Sequence, residues 1–221
     1  VSFGLAPNVE FQIDGVVQNF LAINSAQNPA PIPLNLSSAN STNGVGDSTL
    51  STKIKLRNET RALPAIGFKL GVQLPNSDQS RGIGVNETNV FGNLLLQKKF
   101  GKKKGLDPRA NIFGNIGLGI LTAPLERFSQ NDVLLYGLAG IFRVNKNVNV
   151  ASEVNGRANT RSGQIPLGTE SVSQFRIGAQ IKASNLRFDT AALFGLTKYS
   201  PRTGFTFGVT YQSPQIFTPP K

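Results

Sequence analysis

The feature that most constrains this chain is a strict two-residue alternation of apolar and polar side chains, clearest in the segment 64–75. Every second residue from Ile66 to Leu74 is apolar, and the positions between them are glycine, lysine or glutamine. Because side chains in a β-strand point alternately to opposite faces, this pattern predicts a strand with one apolar face. The segment also has the length, roughly ten residues, that a tilted strand needs to cross a bilayer.

The same alternation recurs along nearly the whole chain. It predicts strands over the segments 9–19, 50–58, 64–75, 148–159, 173–183, 186–198 and 204–212. Three further segments are predicted as strands although both of their faces carry apolar residues: 89–100, 111–121 and 133–144. Residues 1–5 are typical of the end of another strand. Frequent glycine and β-branched residues oppose helices, so the chain is predicted to be all-β.

The connections between these segments alternate in length. Short ones are expected at 6–8, 60–63, 145–147 and 184–185, and long ones at 22–46, 76–88, 122–131 and 161–170, with 101–108 an intermediate exception. Bacterial outer-membrane barrels have this arrangement, with short turns in the periplasm and long loops outside. We therefore expect an antiparallel transmembrane up-and-down β-barrel of about twelve strands, whose first strand would precede Val1 and is missing from this sequence.

A soluble β-sandwich is the main alternative, because its strands alternate too. Three features favour the membrane barrel: the alternation continues without an amphipathic helix, the polar positions are rich in small and amide side chains, and the apolar face is almost free of charge. We expect residues 1–221 to form one barrel domain with a short proline-rich tail over 214–221. A secreted soluble β-protein is a third interpretation.

Several short stretches add a family resemblance. They are 44–50 (GVGDSTL), 64–75 ending in QLP, 130–138 (QNDVLLYGL), 151–157 (ASEVNGR) and 203–211 (TGFTFGVTY). In this order and spacing, the chain resembles the "MetA-pathway of phenol degradation" proteins over most of its length. The resemblance implies an outer-membrane barrel that transports small or hydrophobic molecules. It carries no transport residues over to this sequence.

The composition opposes an enzyme. The chain has no His and no Cys, so it lacks the commonest general base, the commonest thiol nucleophile and the best transition-metal ligands. We expect no catalytic, cofactor or metal site. The net charge of +11 suggests an anionic partner. Nucleic acid is not expected, because the aromatic residues mostly fall opposite the charges instead of beside them.

Charged residues concentrate on the polar face. The acidic residues of this face are Glu10, Asp14, Glu153 and Asp189. Its basic residues, one of which is Lys99, outnumber them. The candidate lumen-lining residues are Lys53, Lys55, Arg57, Lys69, Arg143, Glu153, Asn155, Arg157, Arg176, Lys182, Arg187 and Asp189. A positive lumen favours anions. The alternative is that these charges pair into a network that fills the barrel. Glu153, Asn155 and Arg157 would form either a polar constriction or, as we favour, a structural cluster.

The leading functional prediction is passive transport of small solutes, anionic or hydrophobic, through a pore in the bacterial outer membrane. Its partners would be the lipid bilayer and the solutes. The alternative is a structural barrel with a plugged lumen that holds a protein partner in a cell-envelope complex. The long loop 22–46, rich in Ser, Asn and Pro, would then serve either as a constriction or as a contact surface.

Overall fold

The computed structural model describes residues 1–23, 32–36, 38–101, 108–123 and 130–211. The strands are β1 (Ser2–Ala6), β2 (Val9–Asp14), β3 (Asn19–Ala22), β4 (Ser41–Gly44), β5 (Thr49–Arg57), β6 (Ala65–Gln73), β7 (Asn89–Phe100), β8 (Ala110–Thr122), β9 (Gln130–Arg143), β10 (Val148–Asn159), β11 (Val172–Ala183), β12 (Leu186–Gly195) and β13 (Thr203–Tyr211). Helical structure in these ranges is limited to a 3-10 turn, Gln79–Arg81. The all-β prediction is confirmed.

Within the described ranges, no helix is both long enough and apolar enough to cross a membrane.

Eleven strands form one antiparallel sheet, in the order β1-β2-β5-β6-β7-β8-β9-β10-β11-β12-β13. Successive strands of this sheet are neighbours throughout, which is the topology expected of an up-and-down sheet. Within the described residues, β1 and β13 are the two edges and are not hydrogen-bonded to each other. Because direction alternates from strand to strand, these two edges run the same way.

Each of the eleven segments predicted as a strand contains one, but several boundaries differ. The strand predicted over 9–19 ends at Asp14, where Gly15 and the adjacent Val16 and Val17 interrupt the alternation. The strand predicted over 186–198 ends at Gly195. The last residue of the final predicted strand, Gln212, lies outside the described residues, as does the predicted tail over 214–221.

The connection predicted as the long loop 22–46 contains structure that the sequence did not reveal. Strands β3 and β4 pair there as a separate two-stranded hairpin. Both strands, NFLA and STNG, are too short to show an alternation, and the second consists only of small polar residues and glycine. The parts of this connection at 24–31 and 37 lie outside the described residues.

The connections of the large sheet follow the expected alternation only in part, because 101–109 is longer than 123–129 and 196–202, which lie at the opposite end of the sheet. The two shortest are the turns at 7–8 and 184–185, and both lie at one end of the sheet. In the second of these, Ser184 takes the left-handed conformation with φ 55° that a tight hairpin turn requires. The connections 15–48, 74–88 and 160–171 all lie at the opposite end, which we call the long-loop end.

The strand register separates two faces along the whole sheet. Glu10 lies opposite Lys53, Lys53 opposite Lys69, and Lys69 opposite Asn93. The positions between them carry Ile54, Phe68, Leu70 and their counterparts on the other strands. Since pairing partners point to the same side of a sheet, the sheet has one polar and one apolar face from β2 to β13.

The apolar face is the exposed one. Leu118, Leu138, Phe205 and Phe207 on this face are 63–73% exposed. On the polar face, in contrast, Ser51 is only 3% exposed. This arrangement is the reverse of a soluble sandwich, in which the apolar face of each sheet packs into a core.

Fully buried apolar side chains are few among the described residues, and they lie at the long-loop end. They are Ile83, Leu121, Ala123, Val133 and Leu193. The middle of the sheet therefore has no apolar core of the soluble kind, and the sheet ladders hold this part of the molecule together.

The close approach of β11 and β12 gives a first test. A methyl group added at Gly178 would lie 1.9 Å from the backbone oxygen of Thr190, whereas one added at Gly208 would lie 3.9 Å from Asp189. We expect Gly178→Ala to lower the free energy of unfolding by about 1–3 kcal/mol, because the strands must separate. Gly208→Ala is the matched control on the same face. The measurement is the urea midpoint of the folded protein, and equal midpoints for both variants would contradict the assigned strand contact.

Candidate functional site

The polar face surrounds two adjoining cavities. The larger, about 740 Å³, is lined by residues of β1, β2 and β5 through β10, and the smaller, about 370 Å³, by residues of β8 through β13. The two share Phe113, Ala139 and Glu153. Strands lie about 4.8 Å apart, so eight strands laid flat would span roughly 35 Å. A single cavity that touches all eight therefore shows that the sheet curls around a common interior.

The register places eleven of the twelve candidate residues on the polar face. Arg57 instead lies opposite Ile66 of the apolar face, because the register shifts between Lys55 and Arg57. The cavities use only part of the set. Seven line a cavity: Lys53, Lys55, Glu153, Asn155, Arg176, Arg187 and Asp189. Five line neither: Arg57, Lys69, Arg143, Arg157 and Lys182. Their role in a pore stays a prediction.

Some interior charges are paired across or along the strands. Lys53 Nζ lies 2.6 Å from a carboxylate oxygen of Glu10 on the neighbouring strand. Arg187 Nε lies 3.0 Å from Asp189 on its own strand. Lys69 approaches Asp14 at 3.4 Å. These pairs neutralise part of the positive charge but leave basic residues in excess, since the polar face carries more basic than acidic residues.

The predicted cluster of Glu153, Asn155 and Arg157 does not act as one unit. The Asn155 side-chain amide donates to the Glu153 carboxylate, and both residues line the larger cavity. Arg157 instead donates to the backbone oxygens of Glu170 and Gly168, at 2.9 and 2.8 Å. It therefore anchors the long loop 160–171 and does not line the interior cavities.

Arg176 differs from the other cations of the smaller cavity. Its NH2 group donates to the side chain of Gln174 at 3.1 Å, while its buried Nε has no hydrogen-bond partner among the described residues. Glu153 is its partner in the strand register, yet the two form no ion pair within 4 Å there. Because the Nε atom itself is buried, an anion in the smaller cavity would bind the outer nitrogens of this guanidinium, whose charge has no ion pair among the described residues.

One wall of the interior is apolar. Leu95, Phe113, Ala139 and Ile141 lie on the polar-face positions of β7, β8 and β9 and line the cavities. The sequence contained a signal for this wall, namely the three strand segments with apolar residues on both faces. It could not show that these segments are adjacent strands whose inner positions form one surface.

The interior is filled toward the long-loop end. There the polar-face residues Ser51, Asn89, Asn93, Asn131 and Val133 are all buried. The ring of Phe91 also packs across Gly71, where a methyl group would lie 2.3 Å from it. The cavities, in contrast, reach the turn at 7–8. The interior is thus roomier near the short turns than near the long loops.

Hydrogen bonds join neighbouring long loops to one another. Asp47 accepts hydrogen bonds from the Gln73 side chain at 2.7 Å and from the Val85 amide at 3.0 Å. In the same loop region, the Ser80 side-chain hydrogen bond lowers the pKa of the Asp78 carboxyl. The Asp47 contacts tie the connection 15–48 to the end of β6 and to the connection 74–88.

The second set of loop contacts centres on Thr169, which is fully buried. Its hydroxyl accepts a hydrogen bond from Asn131 at 2.9 Å and donates to the Pro166 oxygen at 2.8 Å. Thr197 adds a bond to the Ser171 oxygen at 3.1 Å. The connections 160–171 and 196–202 are therefore held together and to the start of β9.

Comparison of the chain with protein-family models and with curated proteins gave no match. The resemblance to the phenol-degradation family stays a prediction.

The Thr169 contacts give a second test. Thr169→Val keeps the shape of the side chain but removes the hydroxyl, and it leaves the Asn131 amide without its partner. We expect a loss of about 1–3 kcal/mol in local stability, because a buried donor becomes unsatisfied. Faster proteolytic cleavage within 160–171 would report it. Thr206→Val, at an exposed position of β13, is the control; equal cleavage of both variants would contradict the anchoring role.

Proposed function

We propose that this chain is an outer-membrane β-barrel that provides a passive route for small solutes through its polar interior. The observation that carries the proposal is the reversed arrangement of the sheet. Its apolar face is exposed on strand after strand, and part of the charge on its polar face lines internal cavities. An exposed apolar surface that extends around a whole sheet requires an apolar surrounding, and the hydrocarbon of a bilayer supplies one.

The topology supports the same proposal. Antiparallel neighbours joined by short turns at one end and long loops at the other are typical of bacterial outer-membrane barrels. The two edges, β1 and β13, run in the same direction, so one additional strand between them would be antiparallel to both. We therefore propose a native barrel of twelve strands, in which that strand satisfies the backbone groups of both edges.

The interior charges support a preference for anions. Basic residues exceed acidic ones on the polar face, and Lys55 and Arg176 line cavities without an ion pair among the described residues. Walls of low dielectric constant strengthen the field of such charges in a narrow passage. Small anionic solutes are therefore the proposed class.

A plugged structural barrel is the second candidate, and the filled long-loop end favours it. Ser51, Asn93 and Val133 occupy the interior there, and hydrogen-bonded loops lie beyond them. In that case the barrel would serve as a scaffold for a protein partner in the envelope. Conductance separates the two candidates.

Adjacent residues on opposite faces test the membrane setting. Leu138→Lys would place an ammonium on the exposed apolar face, whereas Ala139→Lys would place it in the interior cavities. In a bilayer we expect Leu138→Lys to cost about 2–4 kcal/mol of folding free energy near the midplane, and Ala139→Lys to cost much less. Urea titration of both variants in lipid vesicles measures this difference. If Leu138→Lys instead leaves the folding free energy unchanged and improves solubility without detergent, the result favours a soluble β-protein.

Planar-bilayer recording tests the passage. We expect a reversal potential that indicates weak anion preference in a KCl gradient, because the interior has excess positive charge. The Lys55→Glu, Arg176→Glu double variant should move the reversal potential toward cations, whereas Lys198→Glu, in an exposed loop, should leave it nearly unchanged. Cation preference in the unaltered protein would contradict the proposed selectivity. Folded, inserted protein without conductance would favour the plugged scaffold.

A further inference from the structure

We propose that the two adjoining cavities form one binding site for amphipathic organic anions, with the carboxylate at Arg176 and the apolar body on the wall of Leu95, Phe113 and Ala139. That such anions pass through the barrel rests on the proposed function. That they bind in the cavities rests on the interior of the sheet alone.

The apolar part of the site is continuous. Phe113 and Ala139 line both cavities, Leu95 extends the surface into the larger one and Ile141 into the smaller one. A passage that carried only hydrated ions would gain nothing from this wall, because apolar surface in contact with water is unfavourable. Alkyl or aryl groups of a solute would cover it.

The anionic part of the site is set by Arg176. Two of the four cations that line the cavities are already paired, Lys53 with Glu10 and Arg187 with Asp189. Lys55 has no ion pair but is exposed to solvent. Arg176 is half-buried, lines the smaller cavity together with Phe113 and Ala139, and has no ion pair among the described residues. A planar carboxylate matches the two-donor edge of a guanidinium.

Glu153 limits the strength of this site. It lines both cavities and is the register partner of Arg176, so its charge repels an incoming carboxylate. Removal of that charge should therefore strengthen binding, which a merely structural role of Arg176 would not predict. The acid also gives a reason for weak, reversible binding, which suits a passage in which solutes must leave again.

The test is equilibrium dialysis of radiolabelled octanoate against the full chain in lipid nanodiscs, with empty nanodiscs subtracted. Octanamide has the same apolar body without the charge, and acetate has the charge without the body. We expect octanoate to bind more tightly than either. Arg176→Gln should weaken octanoate binding about tenfold or more, and Glu153→Gln should strengthen it. Lys69→Gln, on the polar face but lining neither cavity, should leave it unchanged.

The wall has its own variant. Phe113→Ser should weaken octanoate binding. Arg176→Gln should lower the affinity for octanoate by a similar factor whether residue 113 is Phe or Ser, since the two side chains contact different parts of the ligand. Retained heat-dependent gel mobility identifies variants that fold, and Arg176→Lys replaces Arg176→Gln if the latter does not.

Equal binding of octanoate and octanamide would overturn the anion site. Octanoate binding that is insensitive to both Arg176 and Phe113 would overturn its location. Conducting protein that binds no octanoate would overturn this inference and leave the proposed function standing. If the chain proves not to insert into lipid, the proposed function fails, and the same dialysis in detergent-free buffer decides on the site by the same comparisons.

Discussion

The structure depends on which face of an amphipathic sheet turns inward. Side chains alternate along every strand, so one choice of face sets the environment of half of the residues at once. Here the charged face is inside and the apolar face is outside. The hydrophobic effect then acts against this sheet in water and in favour of it in hydrocarbon. The backbone ladder satisfies the hydrogen-bonding groups of the strand interiors in either solvent, so the side chains alone decide which face suits which surrounding.

The same choice explains the character of the interior. Charges that face inward must be solvated or paired, and the pairs Lys53–Glu10 and Arg187–Asp189 meet part of this need. The inward positions of β7, β8 and β9 include apolar residues, and at these positions no charge has to be solvated or paired. The interior is therefore divided, with a charged wall on either side of an apolar one, and Phe113 lies where the two cavities meet. A uniform ring of charge would favour small ions alone, whereas this division favours solutes that have two chemically different ends.

Much of the fold was predictable because its signal is local. Period-two alternation over ten residues, as in β6, indicates both the strand and the faces, and seven of the eleven strands of the large sheet were predicted this way. The segments of β7, β8 and β9 were predicted although both of their faces carry apolar residues, and β1 was predicted only as the end of a strand. The hairpin β3–β4 was missed because its two strands have four residues each, NFLA and STNG, which is too short for a periodic signal. The register places Arg157 on the predicted face, but the sequence did not show its contacts, since its guanidinium reaches the backbone of the loop 160–171. Alternation shows on which face of the sheet a side chain lies, whereas only the three-dimensional structure shows which group it hydrogen-bonds to.

The two ends of the interior are held by different kinds of interaction, and this bears on how a passage could open. The strands are joined by continuous ladders, so widening the sheet would break many hydrogen bonds together. At the long-loop end, the contacts of Asp47 and Thr169 are separate hydrogen bonds, each with a net worth of about 0.5–1.5 kcal/mol. The Thr169 hydroxyl is buried, so water can replace its bonds only when the loop 160–171 moves away from the start of β9. Opening at this end therefore requires rearrangement of the loops and of the side chains beneath them, while the strand ladders stay intact.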